Sequence, residues 1–430
     1  MFYKKKSFGL FSLQLCGALI VGFSVFIHSS NVGAAEFGES VAGKTVKERD
    51  RQETDPDGVP LGGMTLYPTL VGVLAYNSNI FALDDSVTAE IGDMLYVVEP
   101  GIVLVSNWSR HQLEIWGKAK IGRYDDLTSE DYEDYDAGFA SRLDIKRWTN
   151  LKLNGRFQHL SEDRGSPDDT GGFTPTEYDV FTPEIEFNHT QNRVSIRLNS
   201  IWNVLDFDES LGTLGVINQD DRDRTKWQGR AELGYDIASG VRAFAEGLVD
   251  DRDYDLALDD NGFNRDSSGY GVVAGLHVEL TGKLSARGSV GYRKQNFDDP
   301  ALADFSGAVW AFDAIWQPSQ LTTVTVFSKR TIEETTLVGS AAFFASTGGV
   351  VVDHEFLRNL IGSARIEYQK WDYQGIGRED KIVKVAVELV YMMNRHLWVN
   401  ARYSFEARDS NTLNQDYNRN VVLFSLAGAF

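Results

Sequence analysis

The residues whose types suit catalytic or metal chemistry are few and widely spaced in this sequence. The seven histidines are His28, His111, His159, His189, His277, His354 and His396, and none has the spacing of zinc ligands. His159 stands near Ser161 and Asp163, but an ordinary polar cluster at a strand end explains this group more simply than a nucleophile and its base. No Gly-x-Ser-x-Gly nucleophile motif occurs. The sequence therefore predicts no enzyme, no cofactor and no metal site.

One acidic stretch resembles the start of a calcium-binding loop. Asp251, Asp253 and Asp255 occupy alternate positions, as the first ligands of such a loop do. The sixth position is Leu256 where the loop needs Gly, and the closing Glu is missing. Acidic loops could instead hold divalent cations that bridge lipopolysaccharide, although a run of charges is more often a solvated surface.

The charge balance excludes a nucleic-acid partner. The 430 residues include 62 Asp and Glu against 42 Lys and Arg, which gives a formal net charge of −20 at pH 7. A phosphate backbone attracts basic surfaces and repels acidic ones. We therefore expect no binding to DNA or RNA.

The N-terminus has the features of an export signal. Three lysines at positions 4–6 precede the uncharged, mostly apolar run 8–27, and the small residues 33–35 suit signal peptidase. An uncleaved anchor is the alternative, since about 20 apolar residues can span a bilayer. The sequence predicts a signal peptide over residues 1–35. Cys16, the single cysteine, lies within it, so the mature chain can form no disulfide.

Beyond the N-terminal region, apolar residues recur at every second position. Residues 113–121, 194–199 and 397–406 are clear examples, in which apolar residues alternate with polar or charged ones. Successive side chains of a strand point to opposite faces, so each segment would have one apolar and one polar face. Helical spacing fits none of these segments. The predicted elements are therefore β-strands.

The number, length and connections of these strands predict a barrel. The alternation predicts about 18 strands. Their lengths are equal to or slightly greater than the roughly 9–11 residues with which a tilted strand crosses a membrane. Short connections alternate with longer, mostly acidic ones. In hydrocarbon every backbone polar group must be paired internally, so a spanning sheet has to close. The predicted fold is all-β: a transmembrane antiparallel up-and-down β-barrel over residues 63–430, with short periplasmic turns, longer extracellular loops and both termini periplasmic. Residues 36–62 would form a periplasmic lead-in or a small plug.

Strand parity, meaning the odd or even position of a residue along its strand, assigns aromatic and charged residues to the two faces of the barrel. Aromatic residues near strand ends would form membrane-interface girdles: Tyr67, Trp148, Tyr235, Tyr254, Tyr270, Tyr292, Tyr373 and Tyr403. The predicted basic pore-lining residues are Lys118, Lys120, Arg142, Lys152, Arg156, Arg197, Arg230, Arg242, Arg287, Arg293, Arg365, Lys384 and Arg402. The predicted acidic ones are Glu232, Glu246, Glu367 and Glu388. A mildly basic channel for anions and a wall filled by cross-strand ion pairs are equally consistent with this pattern.

The last ten residues read as a strand with an aromatic terminus. Val422, Phe424, Leu426, Gly428 and Phe430 share one face. Such a strand is similar to the C-terminal signal that the barrel-assembly machinery recognises. We therefore expect this machinery and outer-membrane lipid, including lipopolysaccharide, as partners.

Several segments together resemble a known bacterial family, called putative β-barrel porin 2. They are residues 55–64, 66–70, 76–81, 100–101, 106–111, 122–124, 130–135, 353–359 and 417–422, so the likeness extends over nearly the whole mature chain. Asn77 departs from the pattern, where Asp would be expected after Tyr76. The resemblance implies an outer-membrane barrel often linked to capsular or exopolysaccharide export. It also implies polysaccharide and a periplasmic polysaccharide-export protein as partners.

Four functions remain open at this point. The first is a conduit for an exopolysaccharide or capsular polysaccharide, because a barrel of about 18 strands leaves an aqueous lumen. The second is a general diffusion porin for small solutes, with Ile332–Gly348, which contains Phe343 and Phe344, as an inward-folded constriction loop. The third is a non-conducting structural or adhesive barrel. The fourth, and the least favoured, is an outer-membrane hydrolase.

Overall fold

Residues 44–212, 215–280 and 282–430 are described by the computed structural model, so the predicted signal peptide 1–35 lies outside the described residues. Besides the barrel wall, the described residues include three short strands, Val59–Leu61, Ser210–Gly212 and Gly215–Ile217, and two 3-10 helices, Thr128–Glu130 and Asp220–Arg222. Eighteen antiparallel strands form the wall and follow one another along the described chain. They are β1 (Met64–Asn77), β2 (Asp93–Ser106), β3 (Gln112–Tyr124), β4 (Tyr132–Lys146), β5 (Thr149–Ser161), β6 (Glu177–Gln191), β7 (Val194–Phe207), β8 (Arg224–Ala238), β9 (Val241–Tyr254), β10 (Ser267–Leu280), β11 (Leu284–Phe297), β12 (Phe305–Ser319), β13 (Thr322–Glu334), β14 (Ala342–Leu357), β15 (Leu360–Tyr373), β16 (Glu379–Met392), β17 (Leu397–Ser410) and β18 (Tyr417–Ala429). Each strand pairs with the next along the chain.

The sheet closes between its first and last strands. β18 pairs with β1 from Thr69↔Ala429 to Asn77↔Val421. Closure leaves no unpaired edge along this seam, which is the condition for a sheet to lie in hydrocarbon. The predicted fold, a closed antiparallel barrel of 18 strands, is confirmed.

The two faces of the wall differ as the alternation predicts. Ile115, Phe139 and Leu198 are each more than 40% exposed and point outward, as do apolar residues at alternate positions on the other strands. Such a continuous apolar surface is unusual for a soluble monomer and suits contact with lipid. The inner face carries most of the charged side chains.

The two ends of the barrel differ in the length of their connections. At one end, here the turn end, eight short turns join the strands, and β1 begins and β18 ends there. The two-residue turn between β8 and β9 contains Gly240 at φ +74, where an added Cβ would lie 2.5 Å from the Glu279 carbonyl oxygen. The other end, here the loop end, carries nine longer connections. None of the described helices is long and apolar enough to cross a membrane.

Two sequence-based assignments are wrong in detail. Ile332–Gly348 is mostly strand, because β13 extends to Glu334 and β14 begins at Ala342. Tyr67, Tyr254 and Tyr373 lie on the inner face instead of in a girdle, whereas Trp148, Tyr235, Tyr270, Tyr292 and Tyr403 are exposed by 40% or more. Position near a strand end does not determine which face a side chain occupies, because successive residues of a strand point to opposite faces.

Candidate functional site

The ladder register places every residue predicted to line the pore on the inner face. Residues directly opposite each other on paired strands share a face. Lys118 faces Asp136, Arg142 faces Lys152, and Glu232 faces Glu246. The same reasoning covers the remaining predicted residues on the other strands. Their part in solute passage stays a prediction.

Many of these inner charges are paired with one another. Glu232 accepts a 2.5 Å hydrogen bond from Arg287 and lies 3.7 Å from Arg197. Lys152 lies 3.1 Å from Glu186. Arg365 with Glu367, Arg156 with Asp136, Arg242 with Asp236 and Lys384 with Glu406 form further pairs. These pairs fit the alternative of a wall filled by ion pairs at these positions, and the choice between it and a mildly basic channel stays a prediction.

The end of the β13–β14 hairpin leaves the wall and enters the lumen. The ladder between β12 and β13 ends at Trp310↔Arg330, whereas β13 stays paired with β14 as far as Glu334↔Ala342. β14 in turn stays paired with β15 as far as Phe343↔Tyr373. Along residues 331–334, β13 thus keeps β14 as its only partner strand, so residues 331–345, here the hairpin tip, are attached to the wall through β15 alone and bend inward.

Apolar packing fixes this bend. The Phe344 ring lies 4.2 Å from the ring of Phe305 on the inner face of β12, and both belong to a buried cluster with Ile332. The guanidinium of Arg330 stacks 3.8 Å above Phe344. Gly307 provides the space, because a Cβ there would lie 2.5 Å from the Phe344 ring. Phe343 and Phe344 are therefore part of an inward segment, as predicted, but as a strand hairpin rather than a loop.

Glu334 shows how far the hairpin tip reaches. Its carboxylate lies 3.1 Å from Arg224 Nε and contacts Lys226 Nζ, both on β8. Its other oxygen lies 2.7 Å from Arg252 Nε on β9. These strands are four and five positions away from β13 around the wall. The hairpin tip therefore crosses part of the lumen to reach its partners.

A second segment enters the lumen at the loop end. It is the connection of residues 162–176 between β5 and β6, here the inward loop. Arg222 donates two hydrogen bonds to Glu162, at 3.0 and 2.7 Å, and all these atoms are buried. Asp163 lies 3.2 Å from Arg419 of β18. Because β18 is five strands from β5 around the wall, the inward loop crosses part of the lumen toward the closing seam.

Buried charges hold the inward loop in place. Arg164 donates to Glu130 at 2.9 and 2.5 Å, and the two side chains are only 5% and 3% exposed. Arg164 also lies 3.4 Å from Asp169. Burial raises the pKa of Asp169 to about 6, with Glu162 adding to the rise and Arg164 opposing it.

The two inward segments meet. Asp168 accepts hydrogen bonds from Thr335 Oγ1 at 2.7 Å and from the Thr336 backbone N–H at 3.0 Å. Arg265, which is paired with Asp259 at 2.6 Å, donates to the carbonyl oxygen of Thr335 at 2.8 Å. The hairpin tip and the inward loop thus form one connected constriction at the loop end.

The turn end is partly occupied by the chain that precedes β1. Val46 is fully buried in a cluster that contains Ile361, Met392 and Trp398, and its backbone N–H donates to Thr323 Oγ1 at 2.9 Å. Lys47 pairs with Glu388, and Arg51 lies 3.2 Å from Glu355. Residues 44–58, here the N-terminal segment, therefore lie against the inner wall on the β13–β18 side of the barrel mouth.

Sequence reasoning missed several lumen charges near the loop end: Arg224, Lys226, Arg252, Arg408 and Arg419. Parity extended to the strand ends could have found them, since Arg224 and Lys226 share the parity of Arg230. The alternation along β9 also argues against a calcium-binding loop at Asp251–Asp255. Asp251 and Asp253 point outward from the strand, whereas Arg252 points inward. His159 contacts Asp179 at 2.7 Å, not Ser161.

Another pattern that sequence reasoning overlooked is the phosphate-loop spacing of residues 38–45, Gly-Glu-Ser-Val-Ala-Gly-Lys-Thr. Such a loop cradles phosphate at the start of a helix. In the described part, the residues after Lys44 form turns, and the Thr45 N–H donates to Glu48 at 2.8 Å. The helix that the motif requires is thus missing from the described residues after it.

One acidic group in the described chain has the compactness of a metal site. The carboxylates of Asp93, Asp125 and Asp126 lie within 4.8 Å of one another. Asp93 already accepts hydrogen bonds from the backbone N–H groups of Asp126 and Leu127, at 2.9 and 2.8 Å. This arrangement is a side-chain-stabilised turn and does not itself indicate a metal.

The predicted assembly-signal residues end the barrel wall. Val422, Phe424 and Leu426 point outward from β18 and are exposed by 39, 56 and 53%. Gly428 shares their parity, and Phe430 follows the strand, its ring 5.6 Å from that of His396. Their part in barrel assembly stays a prediction.

Comparison with known protein families gives a porin family model that matches most of this chain. The model of the family described as putative β-barrel porin 2 matches residues 52–430. OpdL of Pseudomonas aeruginosa is 11% identical with a TM-score of 0.45, and the alignment covers 86% of this chain and 99% of OpdL. A BenF-like porin from Pseudomonas fluorescens is 10% identical with a TM-score of 0.48, and the alignment covers 86% of this chain and 100% of that porin. No curated protein matches this chain.

Proposed function

Because this chain belongs to the putative β-barrel porin 2 family, we propose that it is an outer-membrane channel for passive diffusion of small hydrophilic solutes. The contact of Glu334 with β8 and β9 carries this proposal, because it brings the hairpin tip across the lumen. A narrowed, charge-lined lumen selects solutes by size and polarity.

Polysaccharide export, the hypothesis that the family resemblance implies, gains no support from the geometry. A polymer conduit needs a continuous passage wide enough for a sugar chain. The hairpin tip and the inward loop are joined to each other through Asp168 and Thr335 at the loop end. Export would require this connected constriction to open fully, whereas the passage of small solutes would need a much smaller opening.

We further propose the orientation and the role of the N-terminal segment. The loop end would face the cell exterior, and both termini would be periplasmic. Residues 44–58 would act as a small plug that narrows the periplasmic mouth, since Val46 and Lys47 bind the inner wall there. The barrel-assembly machinery and lipopolysaccharide remain the expected partners.

Solute uptake by liposomes containing the purified protein tests the diffusion function. We expect swelling in sugars and amino acids below a sharp size limit and no uptake of dextran. Replacing residues 335–341 by two glycines should raise the size limit, while an equal shortening of the exposed 411–416 connection should leave it unchanged.

Two outcomes would contradict the proposal. No ion conductance from either the wild type or the shortened hairpin would indicate a non-conducting structural barrel. Loss of surface polysaccharide in a deletion strain, restored by complementation, would indicate an export conduit.

A further inference from the structure

The three cations that surround Glu334 form a compact site on the inner wall. Arg224 and Lys226 lie two residues apart on β8, and Lys226 is directly opposite Arg252 of β9. All three converge on one carboxylate, whose side chain is 6% exposed. We refer to Arg224, Lys226 and Arg252 as the three-cation site.

The charge around this site is not balanced. Arg293 of β11 adds a fourth cation, held at 2.8 Å by Asp250. Glu334 and Asp250 are the carboxylates within 4 Å of these four cations in the described chain. The Nη1 group of Arg252 is buried and has no hydrogen-bond partner among the described residues. Unpaired buried cationic groups are costly and attract further anions.

The carboxylate and the cations come from different parts of the fold. The wall strands β8 and β9 supply the cations, while the hairpin tip, unpaired with β12 beyond Arg330, supplies Glu334. A free carboxylate could therefore take the place of Glu334 without disturbing the barrel ladder.

Aromatic rings adjoin the site. The guanidinium of Arg224 lies 5.5 Å from the Tyr254 ring and 5.6 Å from the Phe207 ring. These rings offer contact to the organic part of a ligand whose carboxylate binds the cations. This combination favours an organic carboxylate over an inorganic anion.

We propose that the three-cation site binds the carboxylate group of permeating organic acids, and that Glu334 is its internal occupant, which the solute must displace. The inference rests on the proposed diffusion function, whose substrate class it names. Displacement of Glu334 weakens one attachment of the hairpin tip, so binding of an organic acid also widens the constriction.

Calorimetric titration of the detergent-purified full chain tests the site. The variant Glu334→Ala leaves space for acetate, and Glu333→Ala, on the opposite face of the same strand, is the matched control. We expect Glu334→Ala to bind acetate at least tenfold more tightly than the wild type or Glu333→Ala, because its competitor is gone. Acetamide, the neutral analogue, should not bind. Equal acetate affinity in the two variants overturns the proposal, and phosphate binding as tightly as acetate overturns the carboxylate assignment.

Channel recordings connect the site to permeation and separate the two proposals. The acetate concentration that changes the ion current should be at least tenfold lower for Glu334→Ala than for Glu333→Ala. A wild type that conducts no ions contradicts the diffusion function, whereas calorimetry still tests the site. A conducting Glu334→Ala channel without any response to acetate overturns the role in permeation. Should Glu334→Ala fail to fold, Lys226→Gln keeps Glu334 and should weaken the response of the wild-type current to acetate tenfold; an unchanged response overturns the proposal.

Discussion

The hydroxyl of Thr335 donates a 2.7 Å hydrogen bond to the carboxylate of Asp168, which lies 167 residues earlier in the chain. Thr335 belongs to the hairpin tip between β13 and β14, and Asp168 belongs to the inward loop between β5 and β6. These hairpins lie on nearly opposite sides of the barrel. The bond therefore joins two segments that enter the lumen from nearly opposite sides.

Asp168→Ala should loosen the contact between these two segments. The substitution leaves the Thr335 hydroxyl and the Thr336 N–H without their acceptor, at a cost of about 1–3 kcal/mol to the local structure. We expect more frequent conductance fluctuations in single-channel recordings. Asp85→Ala, in the exposed connection between β1 and β2, is the control. Equal fluctuation rates in the two variants would show that the bond does not hold the constriction together.

Arg164→Ala should destabilise the inward loop strongly. Glu130 would remain buried without its cation, which costs about 3–5 kcal/mol. Proteolysis of the folded barrel should then cleave residues 162–176, which the wild type protects. Arg358→Ala removes a pair with Glu53 whose side chains are 84% and 76% exposed, and should change stability by about 1 kcal/mol or less. Wild-type protection of the loop in Arg164→Ala would contradict the structural role of this ion pair.

The inward loop should hold more firmly at pH 5 than at pH 7.5. Burial raises the pKa of Asp169 from 3.8 to about 6, so the folded loop favours the protonated carboxyl. This contribution to stability is complete below about pH 4 and is lost as the pH rises through 6. We expect fewer conductance fluctuations at pH 5 than at pH 7.5.

The variant Asp169→Asn isolates this effect from other acidic groups. Its conductance should fluctuate less often than that of the wild type at pH 7.5, and the fluctuation rate should depend less on pH. Part of the dependence should remain, because burial also raises the pKa of Asp223 to about 6. A pH dependence identical to that of the wild type would assign the effect to groups other than Asp169.

Val46→Asp should release the N-terminal segment from the barrel mouth. The new carboxylate would be buried in an apolar cluster with Ile361 and Trp398, at a cost of several kcal/mol. We expect the segment to leave the wall and the mean conductance to rise. Val59→Asp, at a position 42% exposed, should conduct like the wild type. An unchanged conductance in Val46→Asp would argue against a plug.

Phe430→Ala should reduce the amount of assembled barrel without altering its conductance. Phe430 is 63% exposed and follows the last strand, so its loss removes little packing from the folded state. The measurement is the fraction of heat-modifiable protein in isolated outer membranes. Leu413→Ala, in a loop and 89% exposed, serves as the control. Normal assembly of Phe430→Ala would remove the C-terminal residue from the assembly signal.

The sequence by itself determined the wall of this protein. Alternation such as that of residues 113–121 gives the strand, its lipid face and its inner face, because a strand has a fixed period of two. The membrane then requires closure, since no unpaired backbone edge is tolerated there. Strand number, the alternation of short and long connections and the parity of residues such as Lys118 and Arg287 follow from these local rules.

Only the tertiary structure decided what lies inside the wall. Glu334 and Arg252 are separated by 82 positions, and no periodicity relates a hairpin tip to a strand four places away around the barrel. The same holds for Arg164 with Glu130 and for Val46 with Ile361. The contact of Glu334 depends on where β13 separates from β12. All three contacts depend on the curvature of the closed sheet. These are properties of the whole barrel, so a pattern read along one strand cannot contain them.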